Sequence, residues 1–366
     1  MADFAARTAS LMSEPSRDDP ADLNRLARVE RTRTEMMAQG AAVTATLQAE
    51  AEPLQQVARL VAGRPLDRVV IAGCGDSWFI GMAVRHAWET LAGVPTEAAQ
   101  ALDYAEYGVA VANERTLVIG LSAGGTTAAV MAALGAAQAR GAMTIGVSNT
   151  PGSPVVSRFD AGLIVHATRK GWPTQSSSAA AALLGRLAAA VAEERRPGSA
   201  RAYLDALAQV PALMDETAAR LDHEVAALAE RLADASLVLF AGLGPNFASA
   251  CFGAAKVREL SPIHAIAFPL EEMHHYRLPK RGDPVFIVAT DPPARERALD
   301  TALVATAVGA HAVAVLCRPD PDIAAHATHV LMVPETPAAL APLLASVPLH
   351  LFAYHFAKAR FARAGR

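Results

Sequence analysis

Short runs of consecutive apolar residues alternate along the chain with longer segments of helical pattern. In the first half the apolar runs cover residues 69–72, 116–121, 143–147 and 163–166, and the helical segments cover 78–91, 126–140 and 176–194. Strands that are apolar at every position lie inside parallel sheets that helices cover on both faces. The pattern therefore predicts an α/β fold whose strands are joined by right-handed helical crossovers.

The second half repeats this alternation. A helical segment at 200–232 precedes apolar runs at 237–241, 263–268, 285–289, 312–316 and 330–332, with helical segments at 247–259 and 343–362. Gly73-x-Gly75 and Gly242-x-Gly244 each follow the first apolar run of their half and precede a helix. Duplication of one domain explains both observations. The alternative is two unrelated strand-to-helix turns that share glycines.

Helix-ending residues and changes of pattern divide the chain into three parts. Residues 1–20 are predicted to form a loose arm, and 23–62 to be helical with a break at Gly40 or Pro53. Arg195-Arg196-Pro197-Gly198 ends the long helix of the first half. We expect an N-terminal arm and helices at 1–62, a first α/β domain at 63–198 and a second at 199–366.

Composition excludes several classes of protein. The 366 residues are 52% hydrophobic, which is enough for two cores, and a net charge of −3 without a basic block argues against nucleic-acid binding. Cys74, Cys251 and Cys317 lie far apart, which predicts neither a disulfide framework nor a metal site. The most apolar stretch, 179–191, contains Arg186 and is too short to span a bilayer. The N-terminus has no signal-peptide pattern, so we expect a cytoplasmic protein without membrane contacts.

Two loops rich in glycine and hydroxyl groups follow successive apolar runs of the first half. They read Gly73-Cys74-Gly75-Asp76-Ser77 and Ser122-Ala123-Gly124-Gly125-Thr126-Thr127. Open parallel sheets bind ligands beyond the carboxyl ends of their strands, where glycine amides, hydroxyls and helix N-termini hold anions. The candidate anion-binding residues are Gly75, Asp76, Ser77, Ser122, Ala123, Gly124, Thr126 and Thr127. Serine and threonine are also ordinary helix N-caps, and that interpretation stays open for any one of them.

Two further features of the sequence bear on how many ligand sites there are and on whether the ligand is a dinucleotide. The corresponding loops of the second half read Gly244-Pro245-Asn246 and Thr290-Asp291-Pro292-Pro293, without a run of hydroxyls. A dinucleotide site needs a third glycine where this chain has Trp78. We therefore expect one anion site, in the first half, and no cofactor.

A second chemical cluster lies in the second half and supplies candidate acid and base groups. Glu259 closes a predicted helix, and Glu271-Glu272-Met273-His274-His275-Tyr276 follows the next strand. Sugar isomerisation needs one group that opens the ring and one carboxylate that moves a proton between C2 and C1. Glu259 and His275 fit these needs. The alternative is that Glu259 pairs with Lys256 or Arg258 and that the histidines cap a helix.

Taken together, these segments resemble the SIS (sugar isomerase) domain family. The first of the two loops, Gly73-Cys74-Gly75-Asp76-Ser77, resembles the family's C-G-[TD]-S. The second, Ser122-Ala-Gly-Gly-Thr-Thr127, resembles S-x-S-G-x-T. The other segments that carry the resemblance are Asn149-Thr-Pro-Gly-Ser153, Ala255-Lys-Val-Arg-Glu259-Leu-Ser-Pro-Ile-His264-Ala, Glu272-Met-His-His275 and Pro348-Leu-His-Leu-Phe-Ala-Tyr-His. The resemblance is to the isomerase half of glucosamine-6-phosphate synthase and to stand-alone double-SIS deaminases, isomerases and deglycases.

The resemblance implies a fold and a set of roles. It implies two tandem SIS domains, each a flavodoxin-like αβα sandwich with a parallel sheet, preceded by helices. It implies that Ser77, Ser122 and Thr127 bind a sugar phosphate, that Glu259 is the base, and that His275 opens the ring. In relatives the histidine comes from a neighbouring chain, so a homodimer with shared sites is implied.

Three departures from the family pattern bear on the site. Gly124 replaces the second serine of the phosphate loop, which removes a donor and opens the site to other anions such as a sulfonate. Tyr276-Arg277 replaces H-G-P and adds a cation. The sequence ends at Arg366 without the family's lysine-bearing tail, and no glutaminase domain is expected. Lys170 and the 171–176 loop, including Gln175 and Ser176 as candidate contacts, are expected to close the pocket instead.

The leading hypothesis is a phosphosugar isomerase or amino-sugar-phosphate deaminase that moves a C1–C2 proton through Glu259. Fructosamine-6-phosphate deglycation shares this proton transfer and is an alternative. A non-catalytic sugar-phosphate-binding regulator is the rival from another class, although a sensor would not need both Glu259 and His275. A purely structural protein would leave the hydroxyl-rich loops without a purpose.

Overall fold

The computed structural model describes residues 4–11, 19, 21–276 and 278–365. Within these residues ten strands form, and their bounds are β1 (Arg68–Gly73), β2 (Thr96–Gln100), β3 (Thr116–Leu121), β4 (Met143–Ser148), β5 (Ala161–Ile164), β6 (Leu237–Gly242), β7 (His264–Pro269), β8 (Pro284–Ala289), β9 (His311–Leu316) and β10 (His329–Met332).

Fifteen α-helices lie in the same described residues. In chain order they are α1 (Phe4–Leu11), α2 (Leu23–Met36), α3 (Gln39–Ala49), α4 (Ala51–Ala62), α5 (Asp76–Ala87), α6 (Ala101–Glu106), α7 (Ala128–Gln138), α8 (Pro154–Ser157), α9 (Gln175–Arg195), α10 (Arg201–Leu232), α11 (Pro245–Leu260), α12 (Glu272–His275), α13 (Arg295–Val308), α14 (Pro321–His326) and α15 (Ala341–Ala364). Short 3₁₀ or π turns cover Trp88–Ala92, Gly108–Val111 and Pro292–Ala294.

The strands form two parallel sheets of identical topology. The first sheet has the order β2-β1-β3-β4-β5, and the second has the order β10-β9-β8-β6-β7. Renumbered from its own first strand and read from the other edge, the second order is the same as the first. In both sheets the second strand is added on one side of the first strand and the third strand on the other side. Ligands of this fold bind at that switch point in the strand order. The duplication predicted from the glycine motifs is confirmed.

The two halves also share an unusual backbone conformation after their first strands. Gly75 has φ 55° and ψ −129°, and Gly244 has φ 55° and ψ −128°, each as the residue before a helix. A side chain at such a positive φ is strained, so glycine is required at both positions. The first strand of each half therefore enters its helix through the same tight turn.

The apolar pattern located the central strands but missed an edge strand. β2 contains Thr96-Glu97-Ala98-Ala99-Gln100 and fully buries only Thr96 and Ala99. An edge strand with one solvated side lacks the continuous apolar run of a central strand. β5 was also predicted about two residues too late, at 163–166 rather than Ala161–Ile164.

The N-terminal predictions need two corrections. Part of the expected loose arm is helix α1, while the rest of residues 1–20 lies outside the described residues, apart from Asp19. The helical segment 23–62 breaks near residue 37 and at Glu50 rather than at Gly40 or Pro53. Gly40 instead lies within α3, where a Cβ atom would be 2.4 Å from the Pro211 carbonyl oxygen of α10. Pro53 falls in the first turn of α4, where proline is tolerated.

One continuous apolar core joins the two halves. Helix α9 is buried along most of its length, and its residues belong to the same cluster as strands β1 and β6 and helix α15. Across the boundary α5 packs against α11, with the Phe79 and Phe252 rings 5.8 Å apart and edge to face. No helix in the described part of the chain has the length and hydropathy needed to cross a bilayer.

We expect Phe352→Ala to lower the free energy of unfolding by about 3–5 kcal/mol, because it leaves a cavity beneath α15. The Phe352 ring is fully buried, 4.5 Å from the Phe286 ring of β8 and 5.3 Å from Phe356 between centroids. Urea denaturation followed by circular dichroism measures the change. The exposed Leu303→Ala change is the control and should stay within about 0.5 kcal/mol.

Candidate functional site

A cavity of about 320 Å³ opens at the carboxyl ends of β1, β3 and β4, between α9 and α11. Most of the residues predicted from the sequence line this cavity, namely Gly75, Asp76, Ser77, Ser122, Ala123, Gly124, Thr127, Ser176 and Glu259. The hydroxyl-rich loops of the first half and the carboxylate of the second half thus face one space. The chain folds so because α11 packs directly on α5, whose first turn holds Asp76 and Ser77.

Two of the predicted contacts lie elsewhere. Thr126 is exposed at the start of α7 and does not line the cavity. Gln175 is buried, and its amide donates hydrogen bonds to the Thr168 carbonyl oxygen at 3.1 Å and to the Thr168 hydroxyl at 2.7 Å. It therefore holds the loop before α9 and lines a separate groove beside α2.

The second hydroxyl-rich loop is organised around a single buried oxygen. The Ser122 hydroxyl accepts hydrogen bonds from the backbone N–H groups of Gly125 at 3.0 Å and Thr127 at 3.2 Å. It also shares a hydrogen bond with the Thr127 hydroxyl, 2.8 Å away. The Ser122 hydroxyl therefore holds the loop as one compact turn, which keeps the Ser122 and Thr127 side chains at the cavity wall.

The corresponding loops of the second half cannot hold an anion in this way. The Asn246 amide donates to the Thr290 hydroxyl at 2.9 Å and to an Asp291 carboxylate oxygen at 3.1 Å. These side chains fill the place between β6 and β8, and a carboxyl group there repels anions. Burial raises the pKa of Asp291, partly opposed by its bond from Asn246. Identical backbone turns thus carry opposite chemistry in the two halves.

A buried lysine joins the halves at the floor of the site. The Lys256 ammonium is fully buried and lies 2.8 Å from a carboxylate oxygen of Asp76. It also contacts Glu259, one turn further along α11. The Ser177 hydroxyl donates to the same Asp76 oxygen at 3.0 Å. The interpretation that Glu259 pairs with Lys256 is thus correct as a contact, whereas Arg258 donates to the Ala265 carbonyl oxygen instead.

Burial and charge act against each other in this cluster. Burial raises the pKa of Glu259 to about 7; the Lys256 ammonium opposes this rise and the Asp76 carboxylate adds to it. Burial by itself lowers the pKa of Lys256, but the two carboxylates outweigh it and leave that pKa above its usual value. The Glu259 side chain keeps 31% exposure, directed to the cavity. Its carboxyl group can therefore exchange protons with a bound molecule near neutral pH.

Helix α2 covers one side of the site and fixes the position of two other segments. A guanidinium nitrogen of Arg25 donates to the Glu259 backbone carbonyl at 2.8 Å. The Glu35 carboxylate accepts from the Thr168 hydroxyl at 2.6 Å and from the Lys170 N–H at 2.7 Å. The loop between β5 and α9 is thereby attached to α2.

The loop after β5 reaches the cavity with a different cation from the one expected. Pro173 and Ser176 of the expected 171–176 segment line the cavity together with Arg169, whereas Lys170 does not and lies beside α2. Asn149 also lines the cavity, and its amide donates to the Val165 and Ala167 carbonyl oxygens. Sequence reasoning named Lys256 only as an ion-pair partner and did not single out Arg169, because an isolated arginine in a loop carries no pattern.

His275 lies outside the cavity of its own chain. It ends the short helix α12, its side chain is 60% exposed, and its Nε2 atom is 3.6 Å from Glu271. The neighbouring His274 pairs with the Thr301 hydroxyl at 3.1 Å. Arg277, the expected extra cation, lies outside the described residues. The roles predicted for Glu259 and His275 are therefore not brought together within one chain.

The fold and cavity define a class of two-domain α/β protein with a hydroxyl-lined pocket at the switch point of its first sheet. The family model of the SIS domain matches residues 64–190 and again 231–360. The chain belongs to the SIS domain family, and it carries two copies of that domain.

Curated and solved relatives agree with this assignment. The chain is 31% identical over 310 residues to the glutamine–fructose-6-phosphate aminotransferase (isomerizing) of Corynebacterium diphtheriae, covering 81% of this chain and 49% of that protein. It thus spans about half the length of the curated relatives it matches. The C-terminal domain of the Francisella tularensis glucosamine-fructose-6-phosphate aminotransferase superposes with a TM-score of 0.78 at 22% identity, covering 90% of this chain and 96% of that one. A glucosamine-6-phosphate deaminase from Thermotoga maritima gives 0.68 at 18% identity, with 91% and 94% covered.

We expect Lys256→Met to destabilise the protein by about 3–5 kcal/mol near pH 8, because two buried carboxylates lose their cation. Without the ammonium, the buried carboxyl groups of the folded variant stay protonated at pH values where the unfolded chain has already released those protons. Unfolding is therefore increasingly favoured as pH rises from about 5 to 8, and the loss of stability should grow over this range. Urea denaturation at both pH values measures this change. The triple change Asp76→Asn, Lys256→Met, Glu259→Gln should restore most of the stability. Equal stability of Lys256→Met and the unaltered protein at pH 8 would contradict this account.

Proposed function

We propose that this protein is a phosphosugar isomerase or amino-sugar-phosphate deaminase acting on the open-chain form of a 6-phosphate. One observation carries the proposal: the hydroxyl-rich anion loops and the Glu259 carboxyl group line the same cavity. Its volume of about 320 Å³ suits a ligand of hexose-phosphate size. The relatives named for isomerising and deaminating activities support the same class of substrate.

The proposed mechanism divides the cavity into two ends. The phosphate binds to Ser77, Ser122 and Thr127 and to the backbone amides of the second loop. The substrate's C1 and C2 then lie toward Glu259, which removes a proton from one carbon and returns it to the other. A proton moves between the two oxygens in an isomerisation. In a deamination, the enolamine becomes a ketimine, and water releases ammonia and a ketose phosphate.

Lys256 has a supporting role in this scheme. Its ammonium contacts Glu259 and lies 2.8 Å from Asp76, so it keeps the base partly ionised despite burial. Ser177 and Asp76 hold the ammonium in place from the first domain. An unpaired buried carboxyl group would stay protonated at neutral pH and could not accept a proton. The buried cation thus allows Glu259 to act as the base.

His275 is proposed to complete the site across a homodimer, with ring opening assigned to the partner subunit's His275. Its exposed position on α12, away from the cavity of its own chain, supports a role toward another molecule. A second copy must then place α12 against the open side of the cavity.

We expect Glu259→Gln to abolish exchange of the C1 and C2 protons with D2O while ligand binding persists. The unaltered protein should exchange them with hexose or 2-amino-hexose 6-phosphates, with activity falling below an apparent pKa near 7, because the Glu259 pKa is about 7. Proton NMR reads both results. The exposed Glu296→Gln change is the control. Exchange only with fructosamine 6-phosphate would favour deglycation, and tight binding without any exchange would favour the regulator.

We expect the inactive variants Glu259→Gln and His275→Ala to regain activity when refolded together. A mixed dimer would contain one site with both native groups, so random pairing restores roughly a quarter of the activity. Turnover and sedimentation velocity of the mixture measure complementation and assembly. Full activity of His275→Ala by itself, or a monomeric active protein, would remove the shared site from the scheme.

A further inference from the structure

Arg169 occupies the position next to the one residue of the anion loop that departs from the family pattern. A Cβ atom built on Gly124 would lie 3.9 Å from a terminal guanidinium nitrogen of Arg169. Both residues line the cavity. The space beside the loop that a serine side chain would occupy is therefore shared with a guanidinium group. The loop loses a neutral donor at Gly124 and has a full positive charge beside it.

The backbone on either side of Arg169 is fixed by helix α2. Besides its bonds to Thr168 and Lys170, the Glu35 carboxylate accepts from the Gly171 N–H at 3.1 Å. The Thr32 hydroxyl accepts from the Trp172 N–H at 2.8 Å. An exposed arginine loses much side-chain entropy on binding, and a fixed backbone reduces that cost. The loop thus presents the Arg169 side chain from a constant position.

The charges around the cavity leave Arg169 available to a ligand. Within the part of the chain that the structure describes, Arg169 forms no ion pair. The acidic side chains at the cavity, Asp76 and Glu259, both contact Lys256. Lys170, next in sequence, faces a separate groove beside α2. Arg169 is therefore the cation that a bound anion meets at the loop end of the cavity.

We propose that Arg169 is a specificity-determining residue that binds the tetrahedral oxyanion on the substrate's terminal carbon. This inference rests on the proposed function only in taking the substrate to carry such an anion. The planar guanidinium offers two parallel N–H donors to two oxygens, which a serine hydroxyl cannot do. It strengthens binding of a phosphate dianion and also accommodates a sulfonate, and competition between the two identifies the natural group.

The test measures binding of inorganic phosphate and of sulfate to the full chain by isothermal titration calorimetry. We expect Arg169→Ala to weaken phosphate binding about ten- to a hundredfold, as for loss of a charge-assisted hydrogen bond, and Arg169→Lys to recover part of it. Lys170→Ala removes the same charge from the same loop outside the cavity and should change binding less than about twofold. Adding Gly124→Ser to Arg169→Ala should also restore part of the affinity.

Three results would overturn the proposal. They are undetectable phosphate binding by the unaltered protein, unchanged binding by Arg169→Ala, and an equal loss in Lys170→Ala. Sulfate binding tighter than phosphate at pH 8 would assign the site to a sulfonate, with Arg169 still as its anchor.

The anion measurement is independent of turnover, which separates this proposal from the proposed reaction. If Arg169→Ala loses phosphate binding and the unaltered protein exchanges no protons, the role of Arg169 as the anion anchor would stand and the proposed reaction would be rejected. If Arg169→Ala exchanges protons with an unchanged KM, the proposed reaction would stand and the anion-binding role of Arg169 would be rejected. Thermal unfolding of Arg169→Ala should match the unaltered protein, because this side chain is exposed and bonds to no other described residue.

Discussion

The buried ammonium of Lys256 is the interaction on which the site depends. A lysine can be fully buried and charged only when carboxylates surround it, and here they come from both halves of the chain, Asp76 from α5 and Glu259 from α11. The same contact keeps Glu259 from remaining protonated in its buried position. Docking of the two domains therefore completes this charge cluster. Separated domains would remove Asp76 from the ammonium, while Lys256 and Glu259 would stay one turn apart on the same helix.

The two halves of the chain share one backbone scaffold, and they differ in the side chains that this scaffold presents. The turns at Gly75 and Gly244 are superimposable in φ and ψ, so backbone geometry did not diverge. In the first half the turn faces serine and threonine hydroxyls. In the second half Asn246 bonds to Thr290 and Asp291 and fills the same position. The second domain contributes instead through α11, whose far end carries the lysine and the carboxylate.

The sequence was informative where burial leaves a pattern and silent where only geometry decides. Central strands are apolar at every position and were found, whereas β2 lies at an edge and shows mixed composition. Glu259 was identified from residue chemistry and motif, and the structure places it in the cavity with the hydroxyl-rich loops. The choice between Arg169 and Lys170 could not be made from sequence, because adjacent loop residues point in directions that only the anchoring by Glu35 sets. The sequence likewise predicts Gln175 as a ligand contact, but in the structure its amide donates to the Thr168 hydroxyl.

The two ends of the cavity impose opposite electrostatic demands within one small volume. A bound dianion raises the pKa of any nearby carboxyl group, and Glu259 already has a pKa of about 7 from burial. Positive charge helps at both ends: at the loop end it strengthens the hold on an anion, and at the Glu259 end it keeps the carboxyl group ionisable. In a chain of net charge −3 this positive charge is local. Lys256 supplies it at one end, and in our proposal Arg169 supplies it at the other. Gly124 leaves the loop without the hydroxyl that the family pattern has at this position, and the Arg169 guanidinium lies beside the same position, so the proposed anchor puts a charged donor where the pattern has a neutral one.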